Sequence, residues 1–222
     1  MLLSPKQPKM NAVLSMKILA LEFSSNQRGA AVAEGKNLLS TVTTDNLKTS
    51  PLTLIDTVLQ KSQLERATIE VIALGIGPGS YTGVRSAIAT AQGWQFALNV
   101  KLLPIKSTEV LAATAYANGQ RGETHLLIDA QRNEYYHTTW NLTDEIQTET
   151  APLSIIDEEK ATKLKSLGSA LPKAPNCQPL YPDAAILAQL AANRTDFQPG
   201  ETIEPIYLRP TEFVKAPLLR KL

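Results

Sequence analysis

Val71-Ile72-Ala73-Leu74-Gly75-Ile76-Gly77-Pro78-Gly79-Ser80-Tyr81-Thr82-Gly83-Val84-Arg85 is the stretch on which the reading of the fold turns. Residues 71–76 form an almost unbroken apolar run, the pattern of a strand covered on both faces. The run enters a glycine-rich turn, and a helical pattern follows to about Leu98, with Val84, Ile88, Ala91 and Trp94 or Gln95 along one side. Upstream, Ser50 and Pro51 are cap and first residue of a helix whose Leu52, Ile55, Val58 and Leu59 make an apolar face. Before it, residues 16–23, 29–33 and 38–43 read as an antiparallel meander, with turns at Ser24-Ser25-Asn26 and Glu34-Gly35-Lys36-Asn37. Downstream, residues 101–105 read as a short strand, and Ser107 as the cap of a helix that ends near Asn118-Gly119.

The theme then restarts. Residues 125–128, 134–140 and 145–150 read as three more strands, and 157–167 and 183–193 as helices, separated by a proline-containing stretch at 171–182. A meander followed by alternating helices and strands predicts an α/β fold with a mixed sheet and helices packed on it. Its partial repetition predicts two lobes, residues 16–118 and 119–222, after an extension at residues 1–15 that carries Pro5 and Pro8 and no regular pattern.

Composition narrows the function classes. The chain has 222 residues with 22 Lys and Arg against 21 Asp and Glu, a net charge of +1. That balance disfavours a protein that grips nucleic acid by itself or a polybasic membrane binder. One cysteine, Cys177, allows no intrachain disulfide, which fits a reducing compartment. No apolar run reaches the ~20 residues of a membrane helix, and residues 1–15 lack the apolar core of a signal peptide, so a cytoplasmic location is expected. Two histidines and one cysteine make a dedicated zinc site unexpected.

Four segments could carry chemistry. In the 77–83 turn, Gly77 and Gly79 would let a phosphate approach the backbone, the following helix offers free N–H groups, and Ser80, Thr82 and Arg85 add donors. The lysine of a Walker A loop is missing. The plainer reading, a tight turn whose small residues serve helix–strand packing, fits the spacing better. Glu22 and Ser24, at the end of the first strand, could hold a phosphate or hydrated magnesium, or could be a satisfied turn. Asp129, in Asp129-Ala130-Gln131-Arg132, occupies the position analogous to Glu22 in the second half. The two acids could face each other across the lobes, or Asp129 could sit in a charged hairpin turn. Pro205-Ile206-Tyr207-Leu208-Arg209-Pro210 reads as a docking strand that closes the fold. His125 and His137 read as ordinary strand residues, and Ser24, Ser80 and Thr82 lack a histidine that would make a hydrolase triad.

Taken together, MKILALEFSS, GIGPGSYTGVRSAIATAQGWQFAL, LLIDAQRNEYY and PIYLRP, in this order, resemble the bacterial tRNA threonylcarbamoyladenosine biosynthesis protein TsaB (YeaZ) family over about residues 16–215. The resemblance implies an actin-like, Hsp70-like (ASKHA) two-lobed fold of mixed β-sheets flanked by helices. It also implies a non-catalytic scaffold for threonylcarbamoylation of tRNA, with the chemistry in a related metal-binding partner, TsaD, and an ATPase, TsaE, joining the assembly. No cofactor is then required, although weak binding of ATP or ADP would be compatible with the fold. Where the family has Asp-Thr-Ser after the first strand, this chain has Glu22-Phe23-Ser24. The implied contact, to a second copy when alone or to the catalytic homologue, uses the helices at 51–61 and 81–98. Leu54, Val58, Ala87, Ala91 and Trp94 are the expected interface residues, on the premise that these helices carry more apolar surface than one sheet face needs. The alternative is an active ATP-binding phosphotransferase or ATPase of the same fold, using Ser80, Thr82, Glu22 and Asp129.

Overall fold

The computed structural model describes residues 15–169 and 174–209. Residues 1–14 of the proposed 1–15 extension and Pro210 of the closing motif lie outside the described residues.

The first sheet has the order β3-β2-β1-β4-β5, from β1 (Lys17–Glu22), β2 (Arg28–Glu34), β3 (Asn37–Thr44), β4 (Val71–Gly75) and β5 (Lys101–Ile105). The meander β1–β3 is antiparallel, while β4 and β5 add to β1 in parallel. Helices α1 (Pro51–Ser62) and α2 (Tyr81–Leu98) supply the crossovers. The alternation along each strand sorts its side chains. Leu19, Leu21, Val32 and Leu74 face α1 and α2, whereas Ile18, Ala20, Ala31, Ala33, Val71 and Ala73 face the opposite side.

The second sheet has the order β10-β9-β6-β7-β8. It is made of β6 (Gly122–Asp129), β7 (Glu134–Leu142), β8 (Gln147–Asp157), β9 (Ser166–Gly168) and β10 (Cys177–Pro179). Helix α3 (Ser107–Ala117) packs Leu111, Ala112 and Ala115 on its inner face, against Leu126, Ile128, Tyr136 and Trp140. Helix α4 (Glu158–Lys163) covers Leu127 and Tyr135 on the outer face through Ala161. Two mixed sheets flanked by helices make the actin-like architecture that the sequence implied.

The expected division of the chain needs a correction. Helix α5 (Ala184–Ala191) follows the second sheet in sequence, but it packs on the first. Ala184, Leu187, Ala188 and Ala191 lie on the small-residue face made by Ala20, Ala31, Ala33 and Ala73. Small side chains on both partners let helix and sheet approach closely: a Cβ at Gly29 would stand 3.0 Å from the Ala184 Cβ. Ile203 likewise belongs to the core under α2. The lobe begun at residue 16 is therefore finished by residues 184–203. Helices α3 and α5 touch between the two sheets, and the Arg194 guanidinium joins Glu109 at 3.0 Å.

Other expectations shift for local reasons. The strand foreseen at 145–150 runs as far as Asp157. The helix foreseen at 157–167 is one short turn, α4, capped by the Asp157 carboxylate accepting from the Lys160 N–H, and β9 follows. On α1 the core side includes Leu54, while Leu52 is 49% exposed.

Leu187→Ala is therefore expected to destabilise the chain by about 2–5 kcal/mol, because it opens a cavity in the first lobe. Leu52→Ala should stay within about 0.5 kcal/mol of the parent. Urea unfolding of both variants checks the assignment. Equal, small effects would show that α5 does not complete that core.

Candidate functional site

The candidate site grows from the C-terminal ends of β1 and β4. After β4 the chain turns through 76–80 into α2, with Ser80 as N-cap, its hydroxyl accepting from the Gly83 N–H at 3.2 Å. This turn wraps around the end of β1. The Ser80 N–H donates to the Ser24 carbonyl at 2.6 Å. A Cβ at Gly79 would lie 2.0 Å from that carbonyl oxygen, and one at Gly83 would lie 2.0 Å from the Phe23 carbonyl oxygen. Gly75 faces the Glu22 carboxylate, where a Cβ would come within 1.9 Å. The glycines admit the chain's own backbone and one carboxylate, so the plainer sequence reading describes what fills the turn.

Glu22 is completely buried. Its carboxylate accepts from the Ser24 N–H at 2.9 Å and from the Ser107 hydroxyl at 3.1 and 3.3 Å. Ser107 Oγ in turn accepts from the Gly77 N–H at 3.1 Å, and the Ser107 N–H donates to the Gly77 carbonyl. Ser107 was expected to cap α3; it links the start of that helix to the glycine turn and to Glu22, while Lys106 occupies the cap position without a side-chain bond. Burial pushes the Glu22 carboxyl above its ordinary range, the bonds from Ser24 and Ser107 pull it partly back, and the charge of Asp183 pushes it up. The acid that acts on Glu22 is thus Asp183, the N-cap of α5, rather than Asp129.

Asp129 has its own local partner. Its carboxylate accepts from the Gln131 backbone N–H at 2.7 Å and from the Gln131 side-chain amide at 3.2 Å. This holds a turn in which Gln131, Arg132 and Asn133 all adopt positive φ. Of the two sequence readings, the hairpin turn describes its geometry. Ser24 is buried and bonded to Glu22 through its N–H. Thr82 and Arg85 are exposed on the first turns of α2.

The 205–209 segment ties the two turns together. The Ile206 N–H donates to the Ile76 carbonyl at 2.9 Å. Arg209 forms an ion pair with Glu134 and donates to the Gln131 carbonyl at 2.9 Å. Between these anchors the Tyr207 ring stacks on Tyr81 at 5.4 Å, and the Arg85 guanidinium lies 4.5 Å above the Tyr81 ring while its Nε–H donates to the Tyr207 hydroxyl. The sequence marked 205–210 as a closing strand. The stack itself joins Tyr81 to Tyr207, from distant parts of the chain, and has no local signature.

The interface residues need correction. Leu54, Val58, Ala87, Ala91 and Trp94 are all buried in the first lobe, packed with β1 and β4 residues in a single chain. The exposed side of α2 carries Arg85, Ala89, Gly93 and Phe96, with Phe96 96% exposed.

Two measurements follow. Gly83→Ala is expected to cost at least about 1–3 kcal/mol through its clash with the Phe23 carbonyl. Gly93→Ala, with no atom within 4 Å of its Cβ position, should gain about 0.5–1 kcal/mol; urea unfolding distinguishes them. For Glu22 the folded-state pKa lies above the unfolded value, so its contribution is present in acid and is lost as pH rises through the folded pKa. Stability of the parent relative to Glu22→Gln should therefore fall over the interval from the ordinary carboxylate range upward. A difference that stays constant or rises over that interval contradicts a raised pKa.

Comparison with known proteins agrees with this architecture. The family described as "TsaD: tRNA N6-adenosine threonylcarbamoyltransferase" matches residues 41–198, more than half of the chain. The tRNA threonylcarbamoyladenosine biosynthesis protein TsaB of Haemophilus influenzae is 36% identical over 85 residues, 38% of this chain and 36% of that protein. The TsaB of Bacillus subtilis is 27% identical over 126 residues, 54% of this chain and 53% of that protein. The chain thus spans between about a third and about half of the length of these relatives. The solved structure of YeaZ from Pseudomonas aeruginosa superposes with a TM-score of 0.76 at 24% identity, covering 87% of this chain and all of that one, which is a likeness of fold. With the glycine turn, the paired lobes and the closing segment in place, the chain belongs to the tRNA N6-adenosine threonylcarbamoyltransferase (TsaD) family, on its TsaB (YeaZ) side.

Proposed function

We propose that this chain is a non-catalytic subunit in the synthesis of N6-threonylcarbamoyladenosine in tRNA, where it supports a TsaD-like catalytic homologue. The observation that carries the reading is the occupation of the glycine turn by the end of β1. Gly79 and Gly83 sit against the Ser24 and Phe23 carbonyl oxygens, which repel a phosphate, and Ser80 spends its hydroxyl on capping α2. Glu22 and Asp129, the acids that an ATPase reading would employ, are engaged separately with Ser107 and Gln131.

A scaffold acts through a surface. The outer face of α2 presents Ala89 and Gly93 between Arg85 and Phe96, at a spacing that keeps all four on one side. Small residues let a second helix approach closely, and a bare phenyl ring supplies an anchor. This face would pair with the catalytic homologue, or with a second copy when the chain is alone. A TsaE-like ATPase would join the assembly through the homologue, and tRNA would be held by the complex.

In purified form the chain alone is expected neither to hydrolyse ATP nor to modify tRNA, and to copurify with a TsaD-like homologue. Turnover above background, abolished by Glu22→Gln or Asp129→Asn, would favour the phosphotransferase reading instead. Ala89→Glu should leave the circular dichroism spectrum intact and abolish pairing in light scattering, because a charge is forced into a desolvated contact. Val58→Glu and Ala87→Glu should unfold the chain, since both side chains are core. Normal pairing of folded Ala89→Glu would place the interface elsewhere.

A further inference from the structure

The chain's two histidines meet on the outer face of the second sheet. In the antiparallel ladder His125 of β6 lies opposite Thr139 of β7, and His137 lies opposite Leu127, so the two imidazoles are diagonal neighbours. His125 Nδ1 is 3.2 Å from His137 Nε2 and 3.1 Å from Thr139 Oγ1. The ring centroids are 5.3 Å apart, with the planes inclined at 34°. On the other side of its ring, His125 Nε2 is 4.0 Å from the Glu123 carboxylate. Ser166 of β9 sits beside His125 in the parallel ladder, and its buried hydroxyl has no hydrogen-bond partner among the described residues.

We propose that His125 and His137 form a binding site for a divalent transition-metal ion of the zinc class, with His125 Nδ1 and His137 Nε2 as its protein nitrogen ligands. Two imidazole nitrogens, each about 2.0–2.1 Å from a tetrahedral ion, stand about 3.3–3.4 Å apart, close to the separation already present. The ladder fixes both backbones, so little reorganisation is needed to admit the ion. The Glu123 carboxylate lies behind the Nε2 side of His125, the side on which a ligating histidine usually meets a supporting carboxylate. Among the described residues no third His, Cys, Asp or Glu joins the pair, so water, with the hydroxyl of Thr139 at hand, completes the coordination. Cys177 is separated from His125 by the whole of β9. Nitrogen donors with no convergent carboxylates select zinc, nickel or copper over magnesium or calcium.

The inference is independent of the role proposed above. The test titrates the tag-free full chain with zinc chloride at pH 7.5 by calorimetry, follows the melting temperature, and uses copper(II) absorbance as a spectroscopic probe. One saturable equivalent, a raised melting temperature and no response to magnesium are expected. His125→Asn and His137→Asn should each weaken binding by at least about tenfold, and the double variant should abolish it. Binding should also weaken as the pH falls from 7.5 to 5.5, because protons compete for the same lone pairs. Circular dichroism verifies folding; should His137→Asn unfold, His125→Asn carries the test. Absence of saturable binding by the parent, or equal binding by a folded His125→Asn variant, overturns the proposal and leaves the pair as a direct imidazole–imidazole hydrogen bond.

Discussion

The first lobe depends on a close approach between two stretches of its own backbone: the end of β1 seated in the glycine turn before α2. The Phe23 and Ser24 carbonyls press on Gly83 and Gly79 with no room for a Cβ, and Glu22 fills the space left by Gly75. That contact fixes how β1 leaves its sheet, where α2 starts and which way its core face looks. It also buries a carboxyl group with no ion-pair partner among the described residues. The cost is contained because Ser24 and Ser107 bond to Glu22, and Ser107 in turn bonds to the turn itself. A packing constraint, a buried acid and the placement of α3 are thus one arrangement viewed from three elements.

Much of this is legible in the sequence because it is local. The apolar run before Gly77, the Ser50-Pro51 helix start and the Gly35 hairpin all follow from short-range chemistry, and each element stands where its residues predict. What the sequence conceals depends on partners far along the chain. Leu52 and Leu54 are both leucines on one helix, and only the position of the neighbouring elements decides which is core. Val58, Ala87 and Ala91 suggested spare apolar surface because α1, α2 and the strands beneath them had not yet been assembled around them. Ser107 has the type and position of a cap, yet its hydroxyl is drawn to a carboxylate 85 residues away. His125 and His137 lack helical spacing, and only the register of a hairpin brings their rings together.

The two lobes are joined in more than one place. Helices α3 and α5 meet between the sheets, Arg194 reaches Glu109, and the segment through Tyr207 binds the turn after β4 at one end and the turn after β6 at the other. Tyr81 and Arg85 of α2 stack with Tyr207 where this segment passes the helix. Such cross-links favour a body that presents a fixed outline. This suits the proposed role of a subunit that acts through a surface, and α2, anchored at its start by the glycine turn, holds Ala89, Gly93 and Phe96 exposed.

The return of α5 to the first sheet also governs the order in which the protein can be made. During synthesis the strands of that sheet emerge early, but the helix that covers the alanine face made by Ala20, Ala31, Ala33 and Ala73 is supplied only by residues 184–191. Until then the nascent chain holds an uncovered apolar sheet face, and the intervening second lobe must be threaded out before it can be shielded. Completion of the first lobe therefore waits until the second sheet and α5 have emerged, which couples the two lobes in time as well as in space. A prematurely terminated chain would expose a surface that the finished protein never shows, a ready handle for chaperones and proteases.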